Sequence, residues 1–310
     1  LLGRNVDRPL EEKLAAGARP ALWRELITAI PNAPLWGHGW QQIGAAQQSV
    51  ALDRPPVPAF FEHFDAAHNI VLDLVLWAGI PIGGLIALLC ALALWAQLRR
   101  LAGSGGHAAD ARAVWLMAGV LGLLAHGLLE FPLSFAYFLV PLGVSLGMIH
   151  AWVPARSAPL LPRGSIPAAG AVLAALLMVV GFEYLQAEEN FRLARLETAR
   201  IGTDRVSLHS PNLRVLTQLD ALLRFVRTEV KPDMATEDLD RMRKVALRYG
   251  FSSTLFRYAT ALGLNGQPRE AARTLQLLCH IHSRKRCREA REAWPAMQQR
   301  YEVLRAVPPP

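Results

Sequence analysis

The chain has 310 residues, 52% of them hydrophobic and 19% charged, with a formal net charge of +8 and a mean hydropathy of +0.22. Those averages suit a greasy soluble protein or a membrane protein diluted by polar segments, and position excludes the first. Four blocks, 70–98, 113–130, 133–153 and 168–185, are nearly free of charge and about 18 residues or longer, the length that crosses roughly 30 Å of hydrocarbon.

In chain order, a short helix is expected over 10–30, broken at Pro31-Asn32-Ala33-Pro34. Glycines then alternate with bulky rings in Leu35-Trp36-Gly37-His38-Gly39-Trp40, a run suited to a tight turn that brings backbone close to a ligand or a neighbouring helix. Pro55-Pro56-Val57-Pro58 reads as a stiff extended link. Next comes Phe64-Asp65-Ala66-Ala67-His68-Asn69, which places a histidine and an amide at the water-facing lip of the first apolar block. Polar groups there serve either a functional site or a helix cap, and both readings stand at this point. Asp73, four residues after Asn69, falls on the same face and is expected to hydrogen-bond within the loop. His126 and Glu130 are also four apart and are read as one helix face near the external end of the second block, pairing with each other or meeting sugar hydroxyls.

Basic residues set the expected topology. Arg99, Arg100 and Arg112 after the first block, and Arg156 and Arg163 after the third, point to the cytoplasm, whereas the Phe131-Pro132 turn carries no basic residue. Residues 1–67 and 186–310 then lie outside. With no signal peptide and a first residue, Leu1, already external, the sequence is expected to be the C-terminal part of a longer polytopic protein.

Beyond the fourth block, 183–200 reads as a charged helix, and Ser210-Pro211-Asn212 and Lys231-Pro232-Asp233 punctuate further helices. One segment, 256–272, has the small-residue and turn pattern of a tetratricopeptide-like hairpin. The arginine surplus of this tail reads as a solvated helical surface rather than a docking patch for anionic lipid, and no nucleic-acid partner is expected. Cys90 lies in the first apolar block as a small buried residue. Cys279, His282 and Cys287 are the members of Cys279-His280-Ile281-His282-Ser283-Arg284-Lys285-Arg286-Cys287 able to converge on a metal, but an external compartment favours a disulfide between the two cysteines. The expected fold class is thus all-α: a polytopic membrane protein with four transmembrane helices, an external loop over 1–67, a membrane region over 68–186 and an external helical domain over 187–310.

Arg19, His38 and His68, with the close-approach glycines Gly37 and Gly39, gather cations and imidazoles near one membrane face, a combination suited to a lipid-linked phosphate. Spacing alone would leave Arg19 as a surface arginine before a helix. The order of motifs is more telling: Arg19-Pro20-Ala21-Leu22-Trp23, then Pro34-Leu35-Trp36-Gly37-His38-Gly39-Trp40, then Ala67-His68-Asn69 before a span with Gly79-Ile80-Pro81, then His126-Gly127-Leu128-Leu129-Glu130-Phe131-Pro132-Leu133. Over nearly its whole length the chain resembles the bacterial O-antigen ligase and polymerase superfamily, and within it the PglL-type protein O-oligosaccharyltransferases. One departure is Gly39-Trp40-Gln41-Gln42, where that branch often has Gly-Trp-Gly-Gln; it bears on the local loop geometry.

The resemblance implies inverting, metal-independent and cofactor-free glycosyl transfer at the periplasmic face of the bacterial inner membrane. The implied donor is an oligosaccharide on undecaprenyl pyrophosphate, and the acceptor a protein hydroxyl such as that of a pilin or another periplasmic protein, lipid A core, or a further glycan. It implies Arg19, His68 and Tyr137 as catalytic residues. Arg19 would neutralise the pyrophosphate, and His68 would orient it or deprotonate the acceptor. Asn69, Gly37, Gly39, His126 and Glu130 would bind substrate. Transfer to protein is the leading expectation; the alternatives are an O-antigen polymerase or lipid A-core ligase, a lipid-linked glycan transporter, and a non-enzymatic membrane scaffold whose helical domain binds partner proteins.

Overall fold

A computed structural model of the chain describes residues 18–53, 63–103, 111–153, 162, 164–199 and 212–310. Residues 10–17 of the first expected helix, the Pro55–Pro58 link, Arg156 and Arg163, and Ser210-Pro211 lie outside the described residues. The described residues are helical, with short 3₁₀ turns and no strand, and they divide into two compact units, one holding those up to Val153 and the other those from Pro162 onward.

In the first unit, α1 (Ala18–Ala29) has Pro20 in its opening turn, where the missing N–H costs no hydrogen bond. Leu22, Leu26 and Ala29 repeat at helical spacing and are buried on one face. They meet Ile43, Ala46 and Val50 of α2 (Ile43–Val50), together with Ala67, Leu76 and Trp77. α3 (Ile70–Gly103) begins at Asn69, whose Oδ1 accepts hydrogen bonds from Val71 N and Leu72 N, each at 3.1 Å. The helix breaks at Gly79, at φ 77° and ψ 169°, before Pro81 restarts it. The backbone groups freed at the break pair with the 34–39 loop: His38 N donates to Leu76 O (2.7 Å), Gly39 N to Trp77 O (3.1 Å) and Ile80 N to Pro34 O (2.9 Å). A Cβ on Gly37 would stand 2.5 Å from Trp77 C, and one on Gly79 would stand 2.2 Å from Leu35 O, so both glycines exist for this close approach. Gln41 takes φ 57°, the left-handed backbone that a glycine would adopt more cheaply, so the loop keeps that turn without the glycine of the resembled branch.

α4 (Ala111–Gly127) and α5 (Ala136–Trp152) pack through Met117, Val120, Leu142 and Ile149, with Leu94, Leu98 and Leu101 of α3 against them. The expectation of four membrane spans is overturned here. Among the described residues, two helices can cross a membrane by length and composition, α3 and the Ser165–Leu196 stretch of the next helix, whereas α4 and α5 have 17 residues each. At 1.5 Å per residue such helices reach about 25 Å, short of the hydrocarbon thickness. The nearly charge-free blocks run past the true helix ends because residues 128–135, apolar apart from Glu130 and Ser134, are not α-helical: Phe131, before Pro132, lies off the helix at φ −118° and ψ 46°, and Pro132–Ser134 forms a 3₁₀ turn.

In the second unit, α6 (Ser165–Ala199) continues without a break from apolar into charged sequence. Its Glu183 caps the start of α7 (Thr217–Arg227), the carboxylate accepting from Arg214 N (2.8 Å), Val215 N (2.9 Å) and Leu216 N (2.9 Å). Helices α8 (Thr236–Arg248), α9 (Ser252–Leu264), α10 (Pro268–Ile281) and α11 (Arg284–Arg300) follow. The α9–α10 hairpin lies where a tetratricopeptide-like unit was expected, but among the described residues no repeat pattern extends from it. Its core closes instead on Trp294, fully buried, stacked edge-on to Phe256 at 5.5 Å and donating Nε1–H to Val307 O (3.2 Å). The 3₁₀ turn Glu302–Ala306 folds Leu304 back into that core, ending it where a further hairpin would have to stack. Cys279 and Cys287 form the expected disulfide across the α10–α11 turn.

Candidate functional site

Local structure brings Arg19 towards His68 by a traceable route. Trp23 lies one helical turn after Arg19 on the same side of α1 and donates Nε1–H to Ala67 O at 2.8 Å, which fixes that side of α1 against the residues before α3. Ala67 is itself held by Asp73, a buried carboxylate in the first turn of α3, whose Oδ1 accepts the Ala67 N–H at 2.8 Å. Asp73 thus plays the loop role expected from its spacing. Between Ala67 and the Asn69 cap, His68 is left at φ 56°, a strained backbone for a non-glycine residue and one held by the bonds on either side.

Glu130 completes the cluster. α4 ends at Gly127, so Glu130 is off the helix face on which the sequence placed it; its N–H donates to His126 O (2.8 Å) and its side chain turns to α1 and α3. One carboxylate oxygen pairs with the Arg19 guanidinium. The other accepts Nδ1–H of His68 at 2.6 Å. Burial first, and the Arg19 guanidinium second, hold the His68 imidazole below its ordinary value of 6.5, so at neutral pH the ring is uncharged. With Nδ1 protonated towards Glu130, the Nε2 lone pair has no hydrogen-bond partner among the described residues. The side chains of Arg19, Glu130 and His68 are 46%, 30% and 22% exposed, so the cluster is open to a ligand.

Aromatic rings extend from this point. The His68 ring lies edge-on to Phe131 at 4.8 Å; Phe131 is 5.6 Å from Phe135, Phe135 5.2 Å from Tyr137, and Tyr137 4.8 Å from Phe138, which meets the His126 ring at 6.3 Å. Tyr137 and His126 therefore lie along an aromatic run leading from His68, and Tyr137 is largely exposed. The other expected ligands are engaged in structure. Asn69 caps α3, and the 37–39 amides are bonded to Ala33, Leu76 and Trp77 carbonyls. His38 donates Nε2–H to Ala29 O (3.1 Å), closing the end of α1. The disulfide removes both cysteines from any metal set, and His282 donates to Gly250 O at 2.7 Å.

Residues 114–298 match the family model described as virulence factor membrane-bound polymerase, C-terminal. A general O-oligosaccharyltransferase of Acinetobacter baylyi is 28% identical over 275 residues, covering 88% of this chain and 46% of the relative. A ComP-specific O-oligosaccharyltransferase of the same organism is 33% identical over 139 residues, 44% of this chain and 24% of the relative. The chain spans less than half the length of these curated relatives. No solved structure matches the chain.

Proposed function

The chain belongs to the virulence factor membrane-bound polymerase C-terminal family, and from that premise we propose that it serves a membrane enzyme of the polymerase and ligase type, transferring oligosaccharide from a lipid pyrophosphate to a hydroxyl acceptor. The observation that carries this reading is the joining of Arg19 and His68 through Glu130 at one open site. Arg19 grips the pyrophosphate with a planar, permanently charged fork. His68 Nε2 takes the proton of the acceptor hydroxyl as its oxygen attacks the anomeric carbon, and the carbon–oxygen bond to pyrophosphate breaks on the opposite face, inverting the configuration. Arg19 offsets the charge that develops on the leaving phosphate. The proton then passes from His68 to solvent. The donor chemistry makes the periplasmic face of the inner membrane the place of transfer, in keeping with a disulfide in the second unit.

Transfer to a protein hydroxyl, as in the PglL-type branch, is the second reading, favoured by the names of the two Acinetobacter relatives. Under it the helical region from residue 187 selects or docks the acceptor, while Arg19, His68 and Glu130 perform the transfer. The test is to express the protein in membranes of cells that make a lipid-linked oligosaccharide and to follow the labelled glycan into glycan, lipid and protein fractions. The reading expects one fraction to gain label and Arg19→Ala to abolish the gain at equal membrane abundance. No Arg19-dependent gain in any fraction would refute it.

A further inference from the structure

We propose that Glu130 holds the place on Arg19 that the donor phosphate takes, and that its displacement by the donor leaves Glu130 bonded to His68 alone, so that donor binding readies the base. This rests on the reading above. Its basis is the division of one carboxylate between two partners, Oε1 to Arg19 and Oε2 to His68 Nδ1.

The two halves of that bridge differ in strength and freedom. Arg19 is the most exposed of the three side chains, and an exposed carboxylate–guanidinium pair contributes only about 0–1 kcal/mol. A pyrophosphate offers more charge and a better bidentate match to the same fork, so it wins the exchange. His68 is less free. Phe131 stands against its ring at 4.8 Å, Phe64 at 6.2 Å, and its backbone is fixed between the Asp73 bond to Ala67 and the Asn69 cap. The bond to His68 therefore persists when the bond to Arg19 is exchanged.

The exchange alters what His68 experiences. The groups facing it are Arg19 from α1, Glu130 from beyond α4 and, on α3, Asp73 through Ala67. While Arg19 shares Glu130, part of the carboxylate's charge is neutralised and a guanidinium stands beside the imidazole. Once the guanidinium turns to phosphate, the carboxylate supports the imidazolium that forms when the acceptor gives up its proton. Glu130 is then a positioning residue that also competes with the donor, and it couples base strength to donor occupancy.

The test measures binding of inorganic pyrophosphate and transfer from a lipid-linked oligosaccharide with the wild-type protein, Glu130→Gln and Glu130→Ala in detergent or membranes. Removing the negative charge frees Arg19, so both variants should bind pyrophosphate about two- to fivefold tighter, while transfer falls on the order of 10²-fold as His68 loses its charged partner. A loosened fold would weaken binding and transfer together, so the opposite signs separate the proposal from a structural role. Arg19-dependent pyrophosphate binding that is unchanged or weaker in both variants would overturn the inference and leave the proposed function standing. Wild-type binding insensitive to Arg19→Ala would remove the phosphate role of Arg19, and with it both readings.

Discussion

Replacing Gly79 by alanine should unseat the loop that anchors the end of α1. A Cβ there would stand 2.2 Å from Leu35 O, 2.4 Å from Leu35 C and 2.8 Å from Trp36 N, all backbone atoms that cannot rotate away. The residue's φ of 77° and ψ of 169° lie where side-chain-bearing residues cost about 1–3 kcal/mol. Relief requires the 34–39 loop to retreat from the helix break, which puts at risk the His38–Leu76, Gly39–Trp77 and Ile80–Pro34 bonds, each contributing about 1 kcal/mol net. Strain and lost bonds together predict a loss of roughly 2–5 kcal/mol. The comparison is Gly84→Ala, where nothing lies within 4 Å of the added carbon and the helix should gain slightly. Thermal melting in detergent, with transfer measured in the same preparations, checks this: Gly79→Ala should melt well below wild type and Gly84→Ala at or above it. Equal melting of the two variants would refute the lock between loop and helix.

Gln41→Gly should raise the melting temperature, since relieving a left-handed φ of 57° gains about 1–2 kcal/mol and glycine returns part of that as backbone entropy. Arg19→Lys should lose about tenfold to a hundredfold in transfer, the equivalent of one arm of a charge-assisted pair, while Arg24→Lys, exposed one residue beyond Trp23, stays near wild type in the same assay. Because burial and the Arg19 guanidinium hold the His68 imidazole below 6.5 before the donor binds, transfer measured at limiting donor should be level from about pH 7 upward and fall as acid protonates the ring; a limiting-donor profile that still rises above pH 7 would contradict the neutral form. Joint replacement of Cys279 and Cys287 by alanine should destabilise the second unit by about 2–3 kcal/mol, the entropy of a short closed loop, read as a lower melting temperature that reductant reproduces in wild type.

Local signals in the sequence were legible where the physics is local. The Asn69 cap, the Asp73 loop bond, the close-approach glycines and the Cys279–Cys287 bridge each follow from residue type and short spacing. The number of membrane-crossing helices did not follow, because hydropathy counts apolar residues whether or not they are helical, and most of residues 128–135 are apolar outside an α-helix. The helical continuity of residues 70–98 failed for a related reason: one glycine dihedral breaks the rod without changing its composition. Glu130 was visible as a polar residue near the site, but its bridging of Arg19 and His68 joins positions far apart in the chain, which no spacing rule reaches. Trp23, which turns Arg19 to the site, was quoted only as part of a motif; its place one turn after Arg19 was the available signal.

The central claim, that His68 acts on the acceptor beside an Arg19-bound pyrophosphate, is tested most directly by His68→Ala in a single-turnover transfer assay with donor saturating. The account predicts that transfer falls at least about 10²-fold while pyrophosphate binding and membrane abundance remain. Transfer at the wild-type rate by a well-expressed His68→Ala protein would contradict it.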